Sequence, residues 1–146
     1  MPPEYAAIYL QHYRNSREGK SQILGLAQRM ERWMHRKVAA DAGSSKATLE
    51  IGAGNLNELP YEPQSHPYDI IEPFRELFES SPHLARVRNV YADIAEVPSE
   101  NRYDRITSIA VLEHVENLPE LVARSALLLN EGGGRISPVQ NERASP

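Results

Sequence analysis

Apolar positions in the first forty residues recur at helical spacing. Ile23, Ala27, Met30, Met34 and Val38 stand four, three, four and four residues apart, the stripe of an amphipathic helix. Trp33 lies beside that stripe. Arg29, Glu31, Arg32, Arg36 and Lys37 fall mostly elsewhere and are expected in solvent. The basic run from His35 to Lys37 reads as the charged last turn of the helix rather than as a phosphate patch, because cations there suit the helix dipole. The loop "DAGSSK" then breaks the pattern.

From Lys46 the rhythm shortens. Four apolar, mostly β-branched runs follow, "ATLEI", "YDII", "VRNVY" and "RITSIAV", as expected for strands of a parallel sheet joined by crossovers. "PFRELFES" after the second run puts Phe74, Leu77 and Phe78 on one helical face. "NLPELVARSALLLNEGGG" after the fourth is a helix with Asn117 as N-cap, Glu120 as its capping-box partner and Pro119 in the first turn. Gly132 is the expected C-cap, and Leu118, Leu121, Val122, Ser125, Leu128 and Leu129 form the expected core-facing stripe. The remainder, "RISPVQNERASP", offers two strand residues, Arg135 and Ile136, before a polar, Pro-terminated tail expected to be poorly ordered. Residues 1–45 thus read as a helical segment, 46–136 as an α/β domain with about four strands, and 137–146 as a disordered tail.

Composition narrows the class. The chain has 146 residues, a net charge of −4 and no cysteine. The charge argues against a mainly electrostatic nucleic-acid binder, and the absence of cysteine excludes disulfides and Cys-ligated zinc. No apolar run approaches the roughly 20 residues that span a bilayer, and the N-terminus lacks a signal-peptide pattern. A soluble, cytoplasmic protein without membrane contact is expected.

The chemistry gathers at the strand ends, where doubly wound sheets bind ligands. After the first strand come Glu50, Gly52, Ala53, Gly54 and Asn55. Glu72 ends the second strand, Asp93 and Ile94 follow the third, and Ile109, Ala110 and Val111 end the fourth. Glycines at 52 and 54 permit a sharp turn and a close ligand approach. Glu72 can accept from both hydroxyls of a ribose, Asp93 can accept from an adenine amino group, and Ile94 can pack against the ring. Glu50 can orient the turn or face a cationic ligand group. Each carboxylate alone reads as a surface acid; their order along the chain is what points to a site. A dinucleotide fingerprint fits poorly, because Asn57 occupies the third-glycine position and Pro60 and Pro63 follow.

The stretches "LEIGAGNLNELPYEP", "YDIIEPF", "YADIAEVP" and "YDRITSIAVLEHVENLPELVARSALLLNEGG" resemble the successive motifs of class I S-adenosylmethionine-dependent methyltransferases, from about Thr48 to Gly133. The resemblance implies a Rossmann-like α/β fold with an N-terminal helical cap and S-adenosyl-L-methionine as cofactor. It places the methionine part of the cofactor beside Glu50, Gly52 and Gly54, the ribose on Glu72 and the adenine on Asp93. It also accounts for Asn57 and the prolines: this cofactor has no phosphate, so a strong helix N-terminus behind the turn is dispensable. The activity implied is methyl transfer to an acceptor the sequence does not name, expected to be a small molecule. His114 is the nearest candidate base, with Glu113 next; the competing role for His114 is to shape the pocket. No metal is expected.

Beside the family's fuller sheet, these runs read as a C-terminally truncated member. The expected consequences are a sheet partly uncovered at the short first crossover, and a fourth strand left as an exposed edge open to self-association. Two rival readings are an NAD-binding oxidoreductase domain and a non-catalytic Rossmann-like module that binds a partner through that edge.

Overall fold

Runs of β-branched and aromatic residues extend because their side chains pack well on a pleated surface. They form β1 (Thr48–Ile51), β2 (Tyr68–Ile71), β3 (Asn89–Tyr91), β4 (Tyr103–Ser108) and β5 (Leu129–Pro138). All neighbours pair in parallel, in the order β3-β2-β1-β4-β5. The chain winds outward from β1 to β3 and then returns to the far side of β1, so the order reverses between β1 and β4. Residues 22–40, 42, 46–109, 115 and 117–138 are described by this computed structural model. The chain divides into units Met1–Trp33 and Met34–Pro146. The helix α1 (Gln22–Ala39) bears out the helical spacing; along its stripe Val38 is buried, Met34 half-buried and Met30 exposed.

The sequence pattern predicts about four strands; the structure has five. The helix α3 (Leu118–Leu128) starts as expected at Asn117, whose side chain accepts from the Glu120 amide at 3.3 Å and donates to Glu120 Oε2 at 2.7 Å. It stops at Leu128, not at Gly132, and Leu129 turns directly into β5. The competing demand comes from β4, whose outer edge would otherwise carry unpaired amides and carbonyls. β5 pairs along it from Tyr103↔Leu129 to Ser108↔Pro138, with register shifts that absorb the extra residues. β4 is therefore not an edge; β3 and β5 are. Ser137 and Pro138, expected in the tail, belong to β5, and residues 139–146 lie outside the described residues. The core stripe of α3 is also narrower than expected. Leu121, Ser125 and Leu128 are buried, whereas Leu118 and Val122 are exposed.

The sheet has two different faces. On one, Leu49, Ile51, Ile71 and Ile106 pack with Ile94, Val97, Leu121 and Leu128. On the other, Tyr68 and Ile70 pack with Ala53, Leu56, Leu59 and Phe78, the last from the single-turn helix α2 (Arg75–Phe78). The first crossover, residues 52–67, contains no helix, yet it does not leave the sheet uncovered. Leu56 and Leu59 are fully buried on it. Turn hydrogen bonds satisfy some of its carbonyls, and three are taken by one side chain. The Arg86 guanidinium donates to the carbonyls of Leu59, Glu62 (2.9 Å) and Pro63 (3.0 Å). A second bracket joins the strands: the Asp69 carboxylate accepts from Arg88 at 2.8 and 2.7 Å and from the Tyr103 hydroxyl at 2.7 Å.

Replacing Arg86 by Ala should leave the Glu62 and Pro63 carbonyls without their donor and destabilise the fold by about 2 to 4 kcal/mol in urea unfolding. A loss below about 0.5 kcal/mol would show that the crossover holds without it.

Candidate functional site

The turn after β1 is built on backbone that glycine accepts most easily. Gly52 has φ 72° and Gly54 φ 51°, a region where a Cβ would clash. Leu56 also has φ 65°; its fully buried side chain offsets that strain. The turn is fastened to β2 at both levels. The Gly52 amide donates to the Ile71 carbonyl at 2.8 Å. One residue on, Glu72 accepts from the Gly54 amide at 2.8 Å on Oε2 and from the Phe74 amide at 3.0 Å on Oε1. A carboxylate offers about four acceptor positions, so each oxygen keeps one for a ligand hydroxyl. Burial raises the Glu72 pKa, and the two amides oppose that shift.

The remaining predicted residues fall as follows. Ala53 is buried and Asn55 half-buried in the turn. Asp93, past the end of β3, is exposed, and its side chain accepts from the Ala95 amide at 2.7 Å, capping the 3-10 turn Ile94–Glu96. Ile94 is buried in the core between the sheet and α3. Ile109, just beyond β4, is half-buried. Because all strands run parallel, Gly52, Gly54, Glu72, Asp93 and Ile109 share one edge of the sheet, on both sides of the reversal between β1 and β4. Ala110, Val111, Glu113 and His114 lie outside the described residues.

Glu50 is placed differently. Its carboxyl is buried on the sheet face and accepts from the Tyr68 hydroxyl at 2.8 Å. Burial, the largest influence, pushes its pKa up to about 8. Around it lies a buried polar set that sequence reading missed. His35 Nδ1 is 2.5 Å from Glu58 Oε2, and the His35 ring stacks on Tyr61 at 5.5 Å between centroids. Arg105 donates to Glu62 Oε1, to the Val38 carbonyl at 2.8 Å and to Thr48 Oγ1 at 3.3 Å. His66 Nε2 lies 3.3 Å from Glu62 Oε2. Burial raises the Glu58 pKa against the opposing pull of His35, and lowers that of His66. In this way His35, read as part of the charged last turn of the helix, is buried, while Arg36 and Lys37 are exposed as expected. Two signals were available: the spacing of four between Glu58, Glu62 and His66, and a charged Arg105 at the head of the strand run "RITSIAV".

A reversal in a parallel sheet, a left-handed glycine turn and an acid locked to it define a doubly wound nucleotide-type site. The chain belongs to the methyltransferase-domain family, whose model matches residues 24–143. No curated protein sequence matches it. Among solved structures it is similar to coclaurine N-methyltransferase bound to N-methylheliamine and SAH, with a TM-score of 0.57 and 20% identity over 70% of this chain and 34% of that one. It is similar to the N-methyltransferase NodS from Bradyrhizobium japonicum WM9, with a TM-score of 0.56 and 16% identity over 70% of this chain and 64% of that one. It is also similar to the glycopeptide N-methyltransferase MtfA complexed with sinefungin, with a TM-score of 0.52 and 20% identity over 68% of this chain and 46% of that one. At these identities the likeness is one of fold, and the chain spans less than two thirds of each of these structures.

The buried set has a consequence for pH. Glu50 and Glu58 hold protons more tightly folded than unfolded, so the folded state binds more protons between the ordinary 4.5 and about 8. Their contribution is full below that window and is lost as pH rises through it. Asp69, whose pKa is lowered because its hydrogen bonds from Arg88, Tyr103 and Asn89 outweigh burial, acts oppositely at the acid end. Stability should fall by up to about 5 kcal/mol from about pH 5.5 to about pH 8.5, and Glu58→Gln should flatten the decline. Denaturant midpoints that stay level or rise over that range would contradict this.

Proposed function

We propose that the chain is the cofactor-binding part of an S-adenosyl-L-methionine-dependent methyltransferase. Residues 46–136 carry the site and residues 1–45 serve as its helical cap. The observation that carries the reading is the Glu72 carboxylate bonded to the Gly54 amide, which sets an acceptor pair suited to a ribose against a turn whose Gly52 and Gly54 carry no Cβ. The neighbours bound to SAH and to sinefungin support the same ligand class.

The residues fit that group. Gly52 and Gly54 leave room for the methionine portion, the spare acceptors on Glu72 suit the two ribose hydroxyls, and the exposed Asp93 suits the adenine amino group. When bound, S-adenosylmethionine supplies a methyl carbon on a cationic sulfonium. The protein's part is to bind and align, holding the acceptor's nucleophile in line and excluding water. His114 is proposed as the base from its sequence position alone. The acceptor is proposed to be a small molecule, and the location to be the cytoplasm. Among the described residues no helix is long and apolar enough to cross a membrane. An NAD-binding reading is disfavoured by geometry, because residues 52–67 present no helix N-terminus to a pyrophosphate.

Calorimetric titration should show binding of S-adenosylmethionine and its demethylated product, and Glu72→Ala should weaken both by at least about tenfold, or about 1.4 kcal/mol. Equal affinity in the variant, or binding of NAD instead, would overturn the assignment.

A further inference from the structure

The buried set that flanks the glycine turn along the chain makes its contacts within itself, and it carries an excess of carboxyl groups. Glu50 comes from β1, and Glu58 and Glu62 come from the same crossover that begins with Gly52 and Gly54. All three are buried. The groups that face them come from every element packed there: His35 from the end of α1, Tyr61 and His66 from the crossover, Tyr68 from β2 and Arg105 from β4. Arg86 lies further out, with its guanidinium committed to three backbone carbonyls.

Charge balance here needs a proton. Arg105 pairs with Glu62, which leaves Glu50 and Glu58 to be neutralised by bound protons or by His35. Glu58 Oε1 has no donor among the described residues, and the Glu62 carboxyl beside it can complete a hydrogen bond only if one of the two is protonated. Ionised carboxylates stripped of water act over longer distances than exposed ones, because neither solvent nor salt screens them well.

We propose that this set discriminates the sulfonium cofactor from its uncharged-sulfur product, binding of the cation being coupled to release of a proton from the Glu50, Glu58 and His35 groups. The inference rests on the cofactor reading above. The coupling follows from linkage: a cation brought to the turn favours ionisation of the carboxyl groups that flank it in the chain, so part of the shared proton leaves to solvent. Both ligands carry the same amino acid and adenosine groups, so only the methyl group and the positive charge it places on sulfur separate them. The device would favour loading of cofactor and departure of product at the alkaline end of the window in which the set titrates.

The test is titration calorimetry on the full chain with S-adenosylmethionine and S-adenosylhomocysteine, in phosphate and in Tris, whose protonation heats differ. S-adenosylmethionine should release roughly half a proton more than S-adenosylhomocysteine, and the ratio of their affinities should rise about tenfold from about pH 6.5 to about pH 8.5. Glu58→Gln should remove most of that rise while both ligands still bind. If that variant does not fold, the two-buffer measurement on the unaltered chain decides alone. Equal proton release with a constant ratio overturns this proposal and leaves the cofactor reading standing. Binding of neither ligand overturns both.

Discussion

The bond from the Gly54 amide to the Glu72 carboxylate is the constraint on which the site depends. It ties the turn after β1 to the end of β2, while the same carboxylate accepts from the Phe74 amide and so fixes where the chain leaves β2. A carboxylate held by two backbone amides cannot swing into solvent without leaving both donors unpaired, a loss of about 1 to 3 kcal/mol each. The turn therefore keeps its left-handed glycines in place before any ligand arrives, and little ordering entropy remains for binding to overcome.

That constraint lies above two unlike sheet faces. One is an apolar layer against α3. The other is covered by a crossover without a helix, and it mixes Leu56 and Leu59 with Glu58, Glu62, His66 and Arg105. Polar groups so placed must find partners. The pairs His35–Glu58 and Arg105–Glu62, with Arg86 over the crossover carbonyls, provide part of them, while Glu58 Oε1 and Glu62 Oε2 have no donor among the described residues. Where a crossover between parallel strands usually carries a helix, whose hydrogen bonds are internal, this chain uses side chains drawn from α1, β4 and the approach to β3. The arrangement buries titratable carboxyl groups on the same crossover that begins with the glycine turn.

The glycine turn, Glu72 and Asp93 were legible in the sequence because each lies at a fixed offset from an apolar run, and a parallel sheet brings such offsets to one edge. The absence of a helix between Gly54 and Pro67 was legible for a similar reason, since Pro60 and Pro63 act locally. The buried set was not. Glu58 meets His35 across 23 residues and Glu62 meets Arg105 across 43, and charged residues at such separations look like solvated positions until the fold joins them. β5 was read as a stub because "NEGGG" ends helices well. Its extension to Pro138 follows from the open edge of β4, a demand that exists only once β4 is central. Leu118 and Val122 were assigned to the core because hydrophobic spacing shows a stripe but not how wide a neighbour covers it.

The most direct test of the central claim is an amide-resolved NMR titration of the full chain with S-adenosylhomocysteine, with NAD as comparison. The account predicts that the amides of Gly52, Gly54, Phe74 and Ile94 shift together and saturably with S-adenosylhomocysteine and stay still with NAD. It is contradicted if those amides do not respond, if the responding amides lie away from the carboxyl edge of the sheet, or if NAD moves the same set.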